Sequence, residues 1–289
     1  RIASEKALIH TVDRAALSQS MPLFSLCLKN AQAIVTHTRT ASQSVLRQCD
    51  VPVYDLDLPF ASGLESKSER AADGPLRLVQ FGHTGPNRRL EQVLDVLAEL
   101  QNEIDFTFDV IGSLWDQQLI RDKCNARGLT NRVFLHGYMP EPVLDFAISR
   151  AHLVFNLRYP TMGEASGSQL RIWRAAAASV VTNHGWYAEI PEDTAFKIPH
   201  EAEKHALADL LRRLASNRHL GVEIGARGHA RLQTNHAPDT YAAAITEIAR
   251  NNETDAHHRA FSLAKSRISS LVSPETWALA ETRLSASLA

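Results

Sequence analysis

The chain has 289 residues, 44% hydrophobic and 22% charged, with a formal net charge of −1. That length allows two domains and an ample core, and that charge gives no basis for a nucleic-acid partner. The apolar run Ala175 to Ala178 is far too short to span a bilayer.

Residues 1–31 alternate polar and apolar positions at helical spacing, with Pro22 as a break. Ala33-Ile-Val-Thr-His37 reads as a short buried strand, 41–48 as a helix, and Val51 to Pro59 as a second extended run. The chain starts at Arg1 inside a helical pattern, without a signal-peptide core, so a fragment with more chain upstream is expected. Residues 61–75, rich in Ser, Glu and Gly, read as a linker. From Leu76 the pattern becomes regular. Strands are expected at 76–81, 106–111, 132–136, 152–156, 180–182 and 195–198. Between them, helices are expected at 88–100, 116–127, 141–149 and from about Ser166. Leu90, Val93, Leu94, Leu97 and Leu100 share one helical face. After Pro199 the chain reads as helices at 202–216, 219–233, 237–251 and 255–287. Alternation of this kind indicates an α/β fold: a Rossmann-like parallel sheet with helices on both faces.

Cys27, Cys49 and Cys124 are odd in number and form no Cys-x-x-Cys pair, so neither a zinc site nor a disulfide framework is indicated. A reducing, cytoplasmic setting follows.

The stretch 159–187 carries the most chemistry. An apolar strand, Leu153 to Asn156, runs into a polar Gly-rich loop that opens a helix at about Ser166. Glu164 therefore sits just ahead of a helix N-terminus, where Ser166, Gly167 and Ser168 are expected to leave backbone N–H groups free. Such an end binds anions through its orphan donors and dipole. By itself Glu164 reads as a helix-dipole carboxylate worth under ~1 kcal/mol. A carboxylate beside an anion site also suits a ligand with a phosphate and a hydroxylated part, such as a sugar nucleotide. Other strands end in similar material. Phe81-Gly-His-Thr-Gly-Pro-Asn-Arg-Arg89 reads either as a phosphate loop, with Gly82 beside His83 and Arg88 or Arg89 as the grip, or as an ordinary βα turn with solvated arginines; no Walker A motif is present. Gly112 closes the next strand, as a simple turn or a close backbone approach. Tyr138 follows the third, as a partner for a base or as a packed ring at the sheet edge. Arginines cluster at Arg88-Arg89 and at Arg171/Arg174.

With these residues in order, 76–235 resembles the donor-binding C-terminal domain of a GT-B glycosyltransferase of the retaining family 4 type (glycosyl transferases group 1). Phe81-Gly82-His83 with Arg88 resembles the family's Gly-Arg…Lys diphosphate loop. Phe108-Asp-Val-Ile-Gly112 and Arg132-Val-Phe-Leu-His-Gly137 resemble its next two strands. Gly163-Glu-Ala-Ser-Gly167 resembles the start of its Glu-x7-Glu motif, with Ile172 where the second Glu would fall. Gly185-Trp-Tyr-Ala-Glu-Ile-Pro191 is similar to a bacterial branch, and 22–59 resembles the end of the family's N-terminal domain.

The resemblance implies a division into 1–60 (remnant of an acceptor-side domain), 61–75 (linker), 76–235 (nucleotide-sugar domain) and 236–289 (C-terminal helices). It implies a transferase acting in glycan biosynthesis. Its substrates would be a UDP- or GDP-type sugar and a glycan or other acceptor, with no separate cofactor and no metal. Glu164 would hold the donor sugar. Arg88, with the amides of Ser166, Gly167 and Ser168, would neutralise the leaving diphosphate, which itself takes the acceptor's proton. His83 would add a donor there, and Gly82, Gly112, Tyr138 and Gln169 would complete the donor site. Two alternatives stand beside this: a non-catalytic nucleotide-sugar-binding module, which Ile172 favours, and a GT-B sugar-nucleotide epimerase.

Overall fold

A computed structural model describes residues 31–47, 51–63 and 70–252. The helical patterns read at 1–30 and 255–287, and the middle of the expected linker, lie outside the described residues. The chain divides into two compact units. The larger takes in Val35–Val45 and Asp55–Tyr241; described residues 31–34, 46–47, 51–54 and 242–252 belong to the smaller. No helix among the described residues is long and apolar enough to cross a membrane.

Strands β1 (Ile34–Thr36) and β2 (Val53–Asp55) belong to a separate short sheet, in which the Leu56 N–H donates to Thr36 O at 2.9 Å. Helix α1 (Arg39–Leu46) follows β1. The main sheet contains β3 (Leu76–Phe81), β4 (Phe106–Ile111), β5 (Val133–Gly137), β6 (Leu153–Phe155), β7 (Ser179–Thr182) and β8 (Phe196–Ile198). All its pairings are parallel, in the order β5-β4-β3-β6-β7-β8. The chain thus starts at the centre, works outward to β5, then crosses back and works outward to β8. The direction of winding reverses between β3 and β6. In such sheets the crevice beyond the carboxyl ends of those two strands is where ligands bind.

A sheet covered on both faces needs strands that are apolar on both. Leu76, Leu78, Phe106, Phe108 and Phe155 form one core. They pack with Leu90, Val93, Leu94 and Leu97 of α2 (Leu90–Leu100) and Leu207, Leu211 and Leu214 of α7 (Glu203–Ser216). On the other face Val79, Phe81, Ile111 and Val154 meet Ile148 of α4 (Glu141–Arg150) and Ile172 of α5 (Gly167–Arg174). Helix α3 (Gln117–Ala126) starts where the Asp116 side chain accepts from Leu119 N–H at 2.9 Å, an N-cap.

The expected helix at 88–100 divides in two. Pro86–Arg88 is a 3₁₀ turn, Arg89 is left-handed (φ 59), and α2 begins only at Leu90. Pro86 presets the tight turn, and the Arg88 carbonyl is held by the buried Gln80 side chain at 3.1 Å.

After β7 comes the short α6 (Trp186–Glu189), and the last helix complete among the described residues is α8 (His219–Asn235). Its buried residues are Gly221, Gly225, Gly228 and Leu232. A Cβ at Gly225 would overlap Ala176 O, and one at Gly228 would overlap the Trp173 ring, so α8 lies against the end of α5 at backbone distance.

His152 ties the base of the sheet together as a neutral ring. The Arg77 N–H donates to its Nδ1 at 2.8 Å, and its Nε2 donates to Ala71 O at 2.9 Å. Burial holds this histidine below its ordinary value of 6.5; the Ala71 carbonyl opposes that, and the charges of Arg218, Arg77 and Arg70 reinforce it. The unfolded chain therefore takes up a proton that the fold resists. Stability should be full above about pH 6.5 and decline below it, with a slope of at most ~1.4 kcal/mol per pH unit for this group. Urea midpoints at pH 7.5 and 5.5 check this, and a His152→Gln variant should flatten the difference.

Candidate functional site

Three neighbouring strands end in a row of glycines. Gly82 N–H donates to Ile111 O at 2.9 Å, and Gly112 N–H donates to Gly137 O at 2.6 Å. At Gly112 (φ +120) a Cβ would overlap the Gly82 carbonyl, so its glycine is required by the sheet edge itself. Gly112→Ala is expected to cost more than ~2 kcal/mol, adding a clash to backbone strain. At Gly137 (φ +68) nothing lies within 4 Å of an added Cβ, so Ala there should cost less. Denaturant midpoints of the two variants give the comparison.

Arg88 is the most unusual residue at this edge. It is only 4% exposed. One Nη donates to Phe81 O at 3.0 Å, while Nε and the other Nη are buried with no partner among the described residues. Burial pulls its pKa down to about 10; Tyr187 opposes this, Arg158 adds to it and Glu164 opposes it. The guanidinium remains charged at neutral pH. A buried cation with unmet donors is costly unless an anion meets it. The neighbouring Arg89 is bonded to the buried Glu203 at 2.8 Å, and Arg171 and Arg174 both hold Asp145 of α4 at 2.7 Å. Of these clustered arginines, Arg88 alone faces an unmet demand.

The loop between β6 and α5 supplies the other side. Ser166 is the N-cap of α5: its Oγ accepts from Gln169 N–H at 3.2 Å and from the Tyr187 hydroxyl at 2.9 Å. Its side chain is thus engaged in building the helix end. Among the described residues no hydrogen bond engages the amides of Gly167 and Ser168, the donors such an end offers an anion. Glu164 is held in place by two groups: Arg158 Nη1 pairs with its Oε1, and Met162 N–H donates to its Oε2 at 2.9 Å. The loop is anchored further by Thr38 Oγ1, which donates to Gly163 O at 2.9 Å, while Glu189 accepts from the Arg39 and Thr40 amides at the start of α1.

Two expectations change. Gln169 does not face a ligand: its fully buried amide accepts from Asn156 at 2.9 Å and donates to Ser179 at 2.7 Å, fastening α5 to β6 and β7. Tyr138 is no packed edge residue, since its ring is 87% exposed beyond β5. His83 bonds to Ser113 Oγ at 2.9 Å across the β3 and β4 loops. Ile172 is fully buried among Val79, Phe81, Ile148 and Val154, so the position of the second motif carboxylate belongs to the core.

Arg158 was missed by the sequence reading. A single arginine after an apolar strand carries little signal. Its place at the carboxyl end of β6, next to the switch point, is the feature that marks it.

No family model and no curated protein matches the chain. Solved structures do. The fold is similar to sucrose-phosphate synthase from Thermosynechococcus elongatus (TM-score 0.68, 17% identity, 88% of this chain and 65% of that one). It is also similar to TarM (0.67, 16%, 84% and 47%). A third is HepE of Anabaena, solved with UDP and glucose (0.65, 15%, 83% and 68%). The chain spans about half of TarM and 65% of the synthase. At these identities the likeness establishes the fold, a Rossmann-like GT-B domain.

Proposed function

We propose that this chain carries the donor side of a retaining, metal-independent glycosyltransferase of the family 4 type, using a UDP- or GDP-linked sugar and a glycan or similar acceptor. The observation that carries the reading is Arg88: a buried guanidinium with two unmet donors, at the switch point of the sheet. It shares that edge with the free amides that open α5. The solved neighbours support it, since HepE was crystallised with UDP and with UDP-glucose, and GtfA with UDP and GlcNAc.

In this reading the diphosphate lies against Arg88 and the Gly167 and Ser168 amides, with Glu164 directed to the sugar hydroxyls. The bond from the anomeric carbon to the phosphate oxygen breaks, the acceptor oxygen bonds to that carbon, and the acceptor proton passes to the departing phosphate. Fixed donors aimed at the charge that develops on the phosphate stabilise the transition state. A second reading, a nucleotide-sugar-binding module without turnover, is favoured by the buried Ile172.

Calorimetric titration of UDP, GDP and their nucleosides tests the site. Diphosphates should bind and nucleosides barely so; equal binding, or none, overturns the reading. Incubation of the protein with UDP- or GDP-sugars and candidate acceptors separates transfer from binding alone. EDTA should leave that transfer intact, because guanidinium and helix-end amides stand where a cation would otherwise sit. Loss of transfer in EDTA with recovery in Mn²⁺ would overturn metal independence.

A further inference from the structure

We infer that Arg158 is a second phosphate-binding residue, held in reserve on Glu164, which exchanges that carboxylate for the donor diphosphate and so frees Glu164 for the sugar. The inference rests on the donor reading above.

The backbone of Arg158 is fixed, because its N–H donates to Thr182 Oγ1 of β7 at 3.1 Å. Its side chain, 19% exposed, is only partly satisfied. Nη1 pairs with Glu164, while Nε is buried with no partner among the described residues. A guanidinium has donors for a bidentate anion and prefers one to a single carboxylate oxygen. Arg88 is near enough for the two positive charges to oppose each other, with Glu164 attracting both. An anion between two such cations relieves that opposition.

Charge matching points the same way. A sugar-linked diphosphate carries one negative charge on each phosphate. Arg88 alone matches half of it; Arg88 with a released Arg158 matches all of it. Glu164 does not lose its place when Arg158 leaves, because the Met162 N–H still holds Oε2 at 2.9 Å. Oε1, the atom Arg158 vacates, becomes the acceptor for a sugar hydroxyl. Phosphate binding and sugar binding are thus coupled through one side chain.

The coupling is measurable without turnover. UDP and GDP are titrated calorimetrically into the wild-type chain, Glu164→Gln, Arg158→Gln and the double variant. Glu164→Gln removes the competitor and should tighten the preferred nucleoside diphosphate about fivefold, the scale of a partly exposed ion pair. Arg158→Gln should weaken it about tenfold. In the Arg158→Gln background the Glu164→Gln change should tighten binding much less, since only the weaker attraction of Glu164 for Arg88 remains. Arg158→Lys, which keeps the charge and loses the fork, should fall between and guards against a misfolded Gln variant; melting curves of all the variants confirm folding. An unchanged or weakened affinity in Glu164→Gln, or a tightening that persists undiminished without Arg158, overturns the inference alone. Absence of diphosphate binding by the wild-type chain overturns the donor reading and this inference with it.

Discussion

Replacing Arg88 by Met is expected to weaken nucleoside diphosphates by a factor of about ten to a hundred, and to leave the ligand-free protein at least as stable as before. The affinity term comes from losing charge-assisted hydrogen bonds, worth roughly 1.5–3 kcal/mol. The parent nucleoside makes no such bonds and should bind equally well to both proteins. The stability term has the opposite sign. Arg88 gives up most of its hydration for one hydrogen bond to Phe81 O, and two of its donor atoms stay unmet. An unbranched apolar side chain of similar reach removes that penalty, and such exchanges are often neutral or stabilising. Calorimetry with UDP and uridine, together with a melting curve, measures both effects on the same sample. A large fall in melting temperature, or equal losses for nucleoside and diphosphate, would place Arg88 in the scaffold instead.

Glu164→Gln is expected to lower turnover by about a hundredfold or more, the usual effect of removing one well-placed polar contact to a transition state. The affinity for bare UDP or GDP should not fall, because the carboxylate touches Arg158 and Met162 and is assigned to the sugar. The expected pattern is therefore a loss confined to kcat and to sugar-bearing ligands. A parallel fall in kcat and in nucleotide affinity would show that Glu164 serves the phosphates, or the fold of the loop, and not the sugar.

Much of the scaffold was legible because its code is local. The strands at 76–81 and 106–111 each carry apolar residues at four of six positions, and α2 shows its buried face at every third or fourth residue. The site was legible only in part. Glycines and arginines marked the strand ends, but sequence alone does not say which donors find partners. Arg89, Arg171 and Arg174 resemble Arg88 in type and differ in having carboxylates supplied by Glu203 and Asp145, far along the chain. Gln169 was assigned to the donor site on the family resemblance. A helix turns by about 100° per residue, though, and that rotation points it at Asn156 and Ser179. Arg158 had no pattern to betray it. Its importance arises from Glu164 six positions on and from Arg88 seventy positions back, which only the fold brings into one electrostatic group.

The glycine face of α8 has a consequence for how this part of the molecule forms. Glycine is among the poorest helix formers, by about 1 kcal/mol each relative to alanine, and α8 carries three of them on its buried side. A peptide of residues 219–235 would be largely coil in water, since a helix of this length is marginal even with a favourable composition. Its order is borrowed from the surfaces its glycines meet, above all Ala176 at Gly225 and the Trp173 ring at Gly228. Assembly is therefore expected to be directional, with the end of α5 in position before the tightest contacts of α8 form. Kinetic experiments would accordingly find substitutions in α8 acting mainly on the rate of unfolding, and those in α5 on the rate of folding as well.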